Sequence, residues 1–140
     1  MRGFEIYKNQ EIEKIKTTTD LVQIENDPIL KGFRDLHDKV GRSNQKYVAS
    51  PEALLNFLLA KGRLPKINPV VDIYNFISSQ SKLALGAHDL TKITGGTTLR
   101  HTRGSETFIP LGKSGPEIIQ PGEYGYIDDG NNIICRLEVL

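Results

Sequence analysis

Asp72, Asn75 and Ser79 stand three and four residues apart in the stretch Asn68-Pro69-Val70-Val71-Asp72-Ile73-Tyr74-Asn75-Phe76-Ile77-Ser78-Ser79. At about 100° per residue of helix they fall within an arc of roughly 60°. An acid, an amide and a hydroxyl on one face supply a proton acceptor, a group that donates and accepts, and a weak nucleophile. The same face also fits an ordinary solvated surface. A Ser/His/Asp set can be written from Ser79, His88 and Asp72 or Asp89, but spacing alone gives it no geometry. His88 serves as a satisfied polar residue near a helix end or as a base. For Glu106, after Gly104-Ser105, three uses stay open: capping, lining a cleft, or pairing with Arg103, the default. His37, beside Leu36 and between Asp35 and Asp38, fits a solvated position.

Phosphate contact is the other chemistry the residue types allow. Lys61, Arg63 and Lys66 put three cations into six residues, which makes either a local anion-binding patch or a solvated loop. Arg100, His101 and Arg103 cannot all share one face of a strand, so they add only a diffuse basic edge. The formal net charge of +1 provides no global field that would recruit nucleic acid or an anionic membrane. The single Cys135 excludes an internal disulfide and a cysteine-rich zinc site, and no pair of His37, His88 and His101 has metal-ligand spacing. No P-loop, GxGxxG, GxSxG or HExxH occurs, so no cofactor or metal is expected. No apolar run approaches the ~18 residues of a membrane span, and Met1-Arg2-Gly3-Phe4-Glu5 lacks the apolar core of a secretion signal. A cytoplasmic address with no membrane partner is the expectation.

The elements that must hold these groups follow from periodicity. A chain of 140 residues with 38% hydrophobic and 25% charged content suits one globular core. Residues 1–25 carry weak signals: Phe4-Glu5-Ile6-Tyr7 alternates like a short strand, Glu11 to Lys16 has helical charge pairing, and Thr17-Thr18-Thr19-Asp20 breaks the chain. Asp27 caps a helix begun by Pro28, with Ile29, Phe33, Leu36 and Val40 as its core stripe and Gly41 as its stop. Ser50-Pro51 opens a helix apolar over most of its surface (Leu54, Leu55, Phe57, Leu58, Leu59), closed by Lys61-Gly62. Asn68-Pro69 opens the next, with Val70, Ile73, Tyr74 and Ile77 as its expected buried stripe.

Beyond Gly95-Gly96 the period becomes two. Thr97 to Thr102 is a strand, Arg103-Gly104-Ser105 a tight turn, and Glu106 to Leu111 its expected hairpin partner. Tyr124–Ile127 and Ile133–Val139 flank Asp128-Asp129-Gly130-Asn131-Asn132, a strong hairpin signal, with Cys135 as a small core residue. Helices first and then an antiparallel meander make the expected class α+β.

Taken in order, these pieces resemble the editing (B3/B4) domain of the phenylalanyl-tRNA synthetase beta subunit and, more closely, free-standing B3/B4-domain proteins. The resemblance is carried by Arg63-Leu64-Pro65-Lys66-Ile67-Asn68-Pro69-Val70-Val71-Asp72-Ile73-Tyr74-Asn75 and Leu85-Gly86-Ala87-His88-Asp89. It continues through Leu99-Arg100, Gly104-Ser105-Glu106-Thr107-Phe108-Ile109-Pro110-Leu111-Gly112 and Pro121-Gly122-Glu123. The resemblance implies a domain over 26–140, with N-terminal helices packed on the meander. It also implies a pocket that draws on the central helix, the loop after it and later strands, with Asn75 contacting the amino acid. Asp72, Ser79, Gly86, His88 and Glu106 complete the implied substrate pocket; Lys61, Arg63, Lys66, Arg100 and Arg103 are the implied RNA contacts. The implied partner is tRNA or its aminoacylated end, and the implied activity is hydrolysis of wrongly charged tyrosyl-tRNA, without a cofactor. Gly86 stands where the synthetase domain has a pocket histidine, Ala84 where it has proline, and the family pattern runs on past Leu140 with a strand-rich segment. Little deacylase activity is therefore expected. The alternative is a non-catalytic module that kept the fold and binds a small molecule, a protein or a second copy of itself.

Overall fold

A computed structural model of the chain describes residues 2–39 and 43–138. The elements run α1 (Arg2–Thr18), α2 (Leu21–Asn26), α3 (Pro28–Lys39), α4 (Ser50–Lys61), α5 (Pro69–Ser81), β1 (Thr97–His101), β2 (Tyr124–Asp128) and β3 (Ile133–Glu138), with a short 3-10 turn at Leu90–Lys92. Helices precede strands, and the class is α+β. The chain divides into two compact units, Met1–Ala87 and His88–Leu140. No helix among the described residues is long and apolar enough to cross a membrane.

In the helical unit, residues 4–7 are part of α1 and not a strand. Phe4, Tyr7, Ile12 and Ile15 share one helical face: both rings meet Phe76 edge-on at 5.9 Å, and Ile12 and Ile15 join the core. Lys8–Glu5 and Lys16–Glu13 pairs (2.8 and 2.7 Å) support the helix along its flanks. The threonine run ends α1 as its sequence predicts, and Asp20 with Gln23 forms a capping box that starts α2.

Asp27 caps α3 as expected, its Oδ1 accepting from the N–H groups of Ile29 (3.0 Å) and Leu30 (3.1 Å). The buried face is a different one, however. Leu30 and His37 point inward while Ile29 and Leu36 are 49% and 45% exposed; Val40 and Gly41 lie outside the described residues. His37 is thus buried and not solvated, and its Nδ1 sits 3.0 Å from Oδ1 of Asn44. At α4, Ser50 is already helical and Ala49 holds the cap position without a side-chain bond. Gly62 ends that helix in the left-handed region at φ 71°, its N–H reaching the Leu58 carbonyl at 2.8 Å.

Asn68 caps α5 through Oδ1 and the Val71 N–H (3.0 Å), with Pro69 as the first helical residue. The faces of this helix are reversed relative to the expectation. Phe76, Ser78 and Ser79 are buried, whereas Val70 is 61% exposed and Ile73 and Ile77 are each 43% exposed. One large ring outweighs the aliphatic stripe because α1 and α4 meet it: Ile12, Leu58 and Phe76 form one core cluster. Ile24, Leu30 and Leu55 form a second. Burying the two serines costs little, since each hydroxyl returns to a carbonyl, Ser78 to Leu83 and Ser79 to Phe76.

The second unit is a three-stranded antiparallel sheet in the order β1-β2-β3. Leu99 lies opposite Tyr126, and Tyr126 opposite Cys135. The hairpin between β2 and β3 is as expected, with Asn131 at φ 61°; Val139, assigned to its second strand, lies outside the described residues. The partner of β1 is β2, not the segment 106–111. Thr107 makes only a parallel bridge to Asn132, and Phe108 an antiparallel one to Glu117. Backbone bonds Thr102 N–H to Glu123 O (2.7 Å) and Gly122 N–H to Thr102 O (2.9 Å) lock the end of β1 to the start of β2. Ile119, Ile127 and Ile133, with Phe108, make the core beneath the sheet. Cys135, expected as a small core residue, is only half-buried and lies outside that cluster, opposite the exposed Tyr126; burial pushes its thiol pKa up.

Candidate functional site

The three polar residues of α5 part company once the helix is placed. Asp72 is half-buried at the first turn, where Oδ1 accepts from the Ile67 N–H at 2.8 Å and holds the incoming chain. It opens on a cleft of about 340 Å³ whose walls are α1 and the α4–α5 connection, including Lys8, Asn9, Arg63 and Lys66. Ser79 is buried, and its hydroxyl donates to the Phe76 carbonyl at 2.7 Å. It borders a separate cavity of about 320 Å³, beside Gln80 and the Asp27–Lys82 ion pair. That pairing lowers the Asp27 pKa against a larger opposing effect of burial, helped by the cap bonds from Leu30 and Ile29. Asn75 is half-buried, lines neither of these cavities and makes no side-chain hydrogen bond among the described residues.

The Ser/His/Asp candidates are divided between the two units. The Ser79 hydroxyl donates its hydrogen bond to the Phe76 carbonyl. Asp89, the other acid considered, accepts from the Thr91 hydroxyl (2.8 Å) and N–H (2.9 Å), which lower its pKa. His88 is exposed and belongs to the second unit, Ser79 to the first. Gly86 is exposed, with open space where a Cβ would stand.

Glu106 is buried, and its partner is Arg100 rather than the Arg103 side chain. The carboxylate also accepts from the backbone N–H groups of Arg103 (2.9 and 3.0 Å) and Gly104 (2.9 Å), wrapping the turn around itself. Burial alone would raise its pKa; the Arg100 guanidinium and those N–H groups overcome this and bring it to about 2. Arg100 in turn donates to the His101 carbonyl (2.9 Å) and lies 3.3 Å from Asn131 Oδ1. Of the five expected RNA contacts, Arg100 is therefore engaged internally, while Lys61, Arg63, Lys66 and Arg103 are exposed.

Two features escaped sequence reasoning. One is Lys8, which α1 brings to the cleft of Arg63 and Lys66. A period-two appearance at residues 4–7 concealed the helix that carries it. The other is the set of buried carboxylates in the sheet unit. Glu123 pairs with Arg136, and Asp128 ties Thr94 N–H (2.9 Å) to Asn132 N–H (2.8 Å), bonds that lower the Asp128 pKa. Among the described residues no cluster of three or more His, Cys, Asp or Glu could hold a metal ion.

A helical unit followed by a small antiparallel sheet, with polar side chains along α5 and cations before it, makes an α+β chain. Residues 34–140 match the family described as B3/4 domain, and the chain belongs to that family. A stretch of 62 residues is 39% identical to the phenylalanine–tRNA ligase beta subunit of Mycobacterium leprae (strain TN). It covers 44% of this chain and 7% of that protein. No solved structure matches the chain.

Proposed function

We propose that the chain is a tRNA-associated binding domain of the B3/4 family that holds the aminoacylated end of tRNA. The 39% identity to a phenylalanine–tRNA ligase beta subunit carries this reading. Exposed Lys61, Arg63 and Lys66 support it, with Arg103 as a further cation and Asn75 as the amide that meets the amino acid. Ester hydrolysis in trans is a minor activity on this reading. It requires a positioned water and a group for the developing oxyanion. Against it, Ser79 is bonded to Phe76, Gly86 offers no side chain and His88 faces solvent. Those same observations favour a module that binds without reacting.

Binding of tRNA over a salt series tests this directly. Replacing Lys61, Arg63 and Lys66 together with glutamine should weaken binding and make its log–log salt slope shallower by about two, the share of three contacts to single-stranded RNA. Absence of binding at micromolar tRNA, or binding indifferent to salt, removes tRNA as the partner. In parallel, tyrosyl-tRNA should be deacylated slowly or not at all. Rapid turnover that survives Asn75→Ala and His88→Ala would show that other residues form the pocket.

A further inference from the structure

We propose that the cleft between α1 and the α4–α5 connection is a binding site for one phosphate group, with Arg63 and Lys66 as its anion contacts. The cleft measures about 340 Å³, within the range of about 300–1,000 Å³ usual for small-ligand sites. Its charge is uneven: Lys8, Arg63 and Lys66 stand against Glu5 and Asp72. Lys8 and Glu5 neutralise one another at 2.8 Å. Among the described residues, Arg63 and Lys66 pair with no carboxylate; the only bond of Arg63 is a long 3.4 Å one to the Leu64 carbonyl. Against these two cations stands Asp72 alone, already accepting the Ile67 N–H. One positive charge is left over, which a singly charged phosphodiester would balance. The N-terminus of α5 is not the source of attraction, because Asn68 takes the Val71 N–H there. The contacts are side chains, and Ile12, Leu64 and Pro65 line the cleft beside them.

This inference extends the tRNA reading, since it places α1, which lies ahead of the family match, in the wall of the phosphate site. The phosphate could come from an RNA strand or from a small phosphorylated molecule, and the test separates them. Backbone amide shifts of the full chain are followed while inorganic phosphate, adenosine monophosphate or a short single-stranded oligoribonucleotide is added. Shifts are expected at Lys8, Asn9, Arg63 and Lys66. Lys66→Gln should weaken phosphate binding roughly tenfold, as loss of a charge-assisted hydrogen bond does. Glu5→Gln should have the opposite sign, strengthening binding several-fold by freeing Lys8 and removing a negative charge. Glu5 is on the surface, so a folding defect cannot imitate that gain. A tighter, Lys66-dependent response to the oligoribonucleotide identifies RNA as the source; equal responses to all three probes identify a small phosphorylated ligand. If phosphate moves other residues, or if neither substitution changes its affinity, the site is wrong. In that event tRNA binding can still stand through Lys61, and a phosphate site without tRNA binding would instead overturn the tRNA reading alone.

Discussion

A buried carboxylate with a guanidinium and two backbone N–H groups around it fixes the turn after β1. Glu106 has no exposed side-chain surface, and its partner Arg100 is 24% exposed. Removing one member of such a pair leaves a charge without compensation, which costs about 3–5 kcal/mol. Glu106→Ala is therefore expected to lower the stability of the sheet unit by about 3 kcal/mol or more, whereas Arg103→Ala, which removes an exposed side chain, should change it by less than ~0.5 kcal/mol. Denaturant unfolding of both variants decides the point. The acid response has a definite sign as well. The Glu106 carboxyl falls from the ordinary 4.5 to about 2 on folding, so its contribution is complete above pH 4.5 and is lost as pH drops from 4.5 towards 2. Glu106→Gln should flatten the pH dependence of stability in that window, and an unchanged acid limb would mean that other carboxylates govern it. Tight backbone packing adds a second test nearby. A Cβ on Gly95, at φ 68°, would stand 2.3 Å from Asp129 Oδ2, the oxygen that accepts the Gly96 N–H. Gly95→Ala should thus lower the melting temperature, while Gly86→Ala, in open space, should leave it unchanged.

Elements were more legible than the faces they bury. Asp27-Pro28 and Asn68-Pro69 both start helices because a side-chain oxygen takes an orphan N–H and proline needs none. The β2–β3 hairpin was equally plain from its Asp-Asp-Gly-Asn-Asn turn. What periodicity could not supply was the neighbour. Four apolar residues on α5 outnumber Phe76, but Phe76 is the one facing α4 and the rings of α1. In α1 the apolar face at 4, 7, 12 and 15 has helical spacing, yet Phe4-Glu5-Ile6-Tyr7 alone alternates. The candidate site suffered for the same reason: Asp72 and Ser79 share a helical face but serve different cavities, separated by what packs against that face. Mutational cost should follow the observed burial. Phe76→Ala is expected to cost about 3–5 kcal/mol, and Ile73→Ala or Ile77→Ala less than about 1 kcal/mol. Asn68→Ala should cost about 1 kcal/mol by loss of its cap. Large losses at Ile73 and Ile77 in urea melts would show that the aliphatic stripe is covered after all.

At the scale of the molecule, the family match begins at residue 34, inside α3, but the helical core does not. Ile12 and Ile24 are buried members of its two clusters, and Ile15 packs against both. Their partners are Leu58 and Phe76 in one cluster, and Leu30 and Leu55 in the other. Taking away residues 1–25 would leave four large side chains facing water on one side. Each such side chain is worth about 1.5–3 kcal/mol when fully buried, so even partial exposure of four approaches the 5–15 kcal/mol by which whole domains are stable. The segment ahead of the family match contributes buried residues to the helical core, and residues 26–140 alone are expected to be much less stable than the full chain. Amide hydrogen exchange should show α4 and α5 protected in the full chain and close to unprotected in residues 26–140. The change should centre on Leu55, Leu58 and Phe76. Full protection of α4 and α5 in the shortened chain would establish the opposite: that the helices at 2–26 are accessory, and that the phosphate cleft they wall is an addition to a domain able to fold without them.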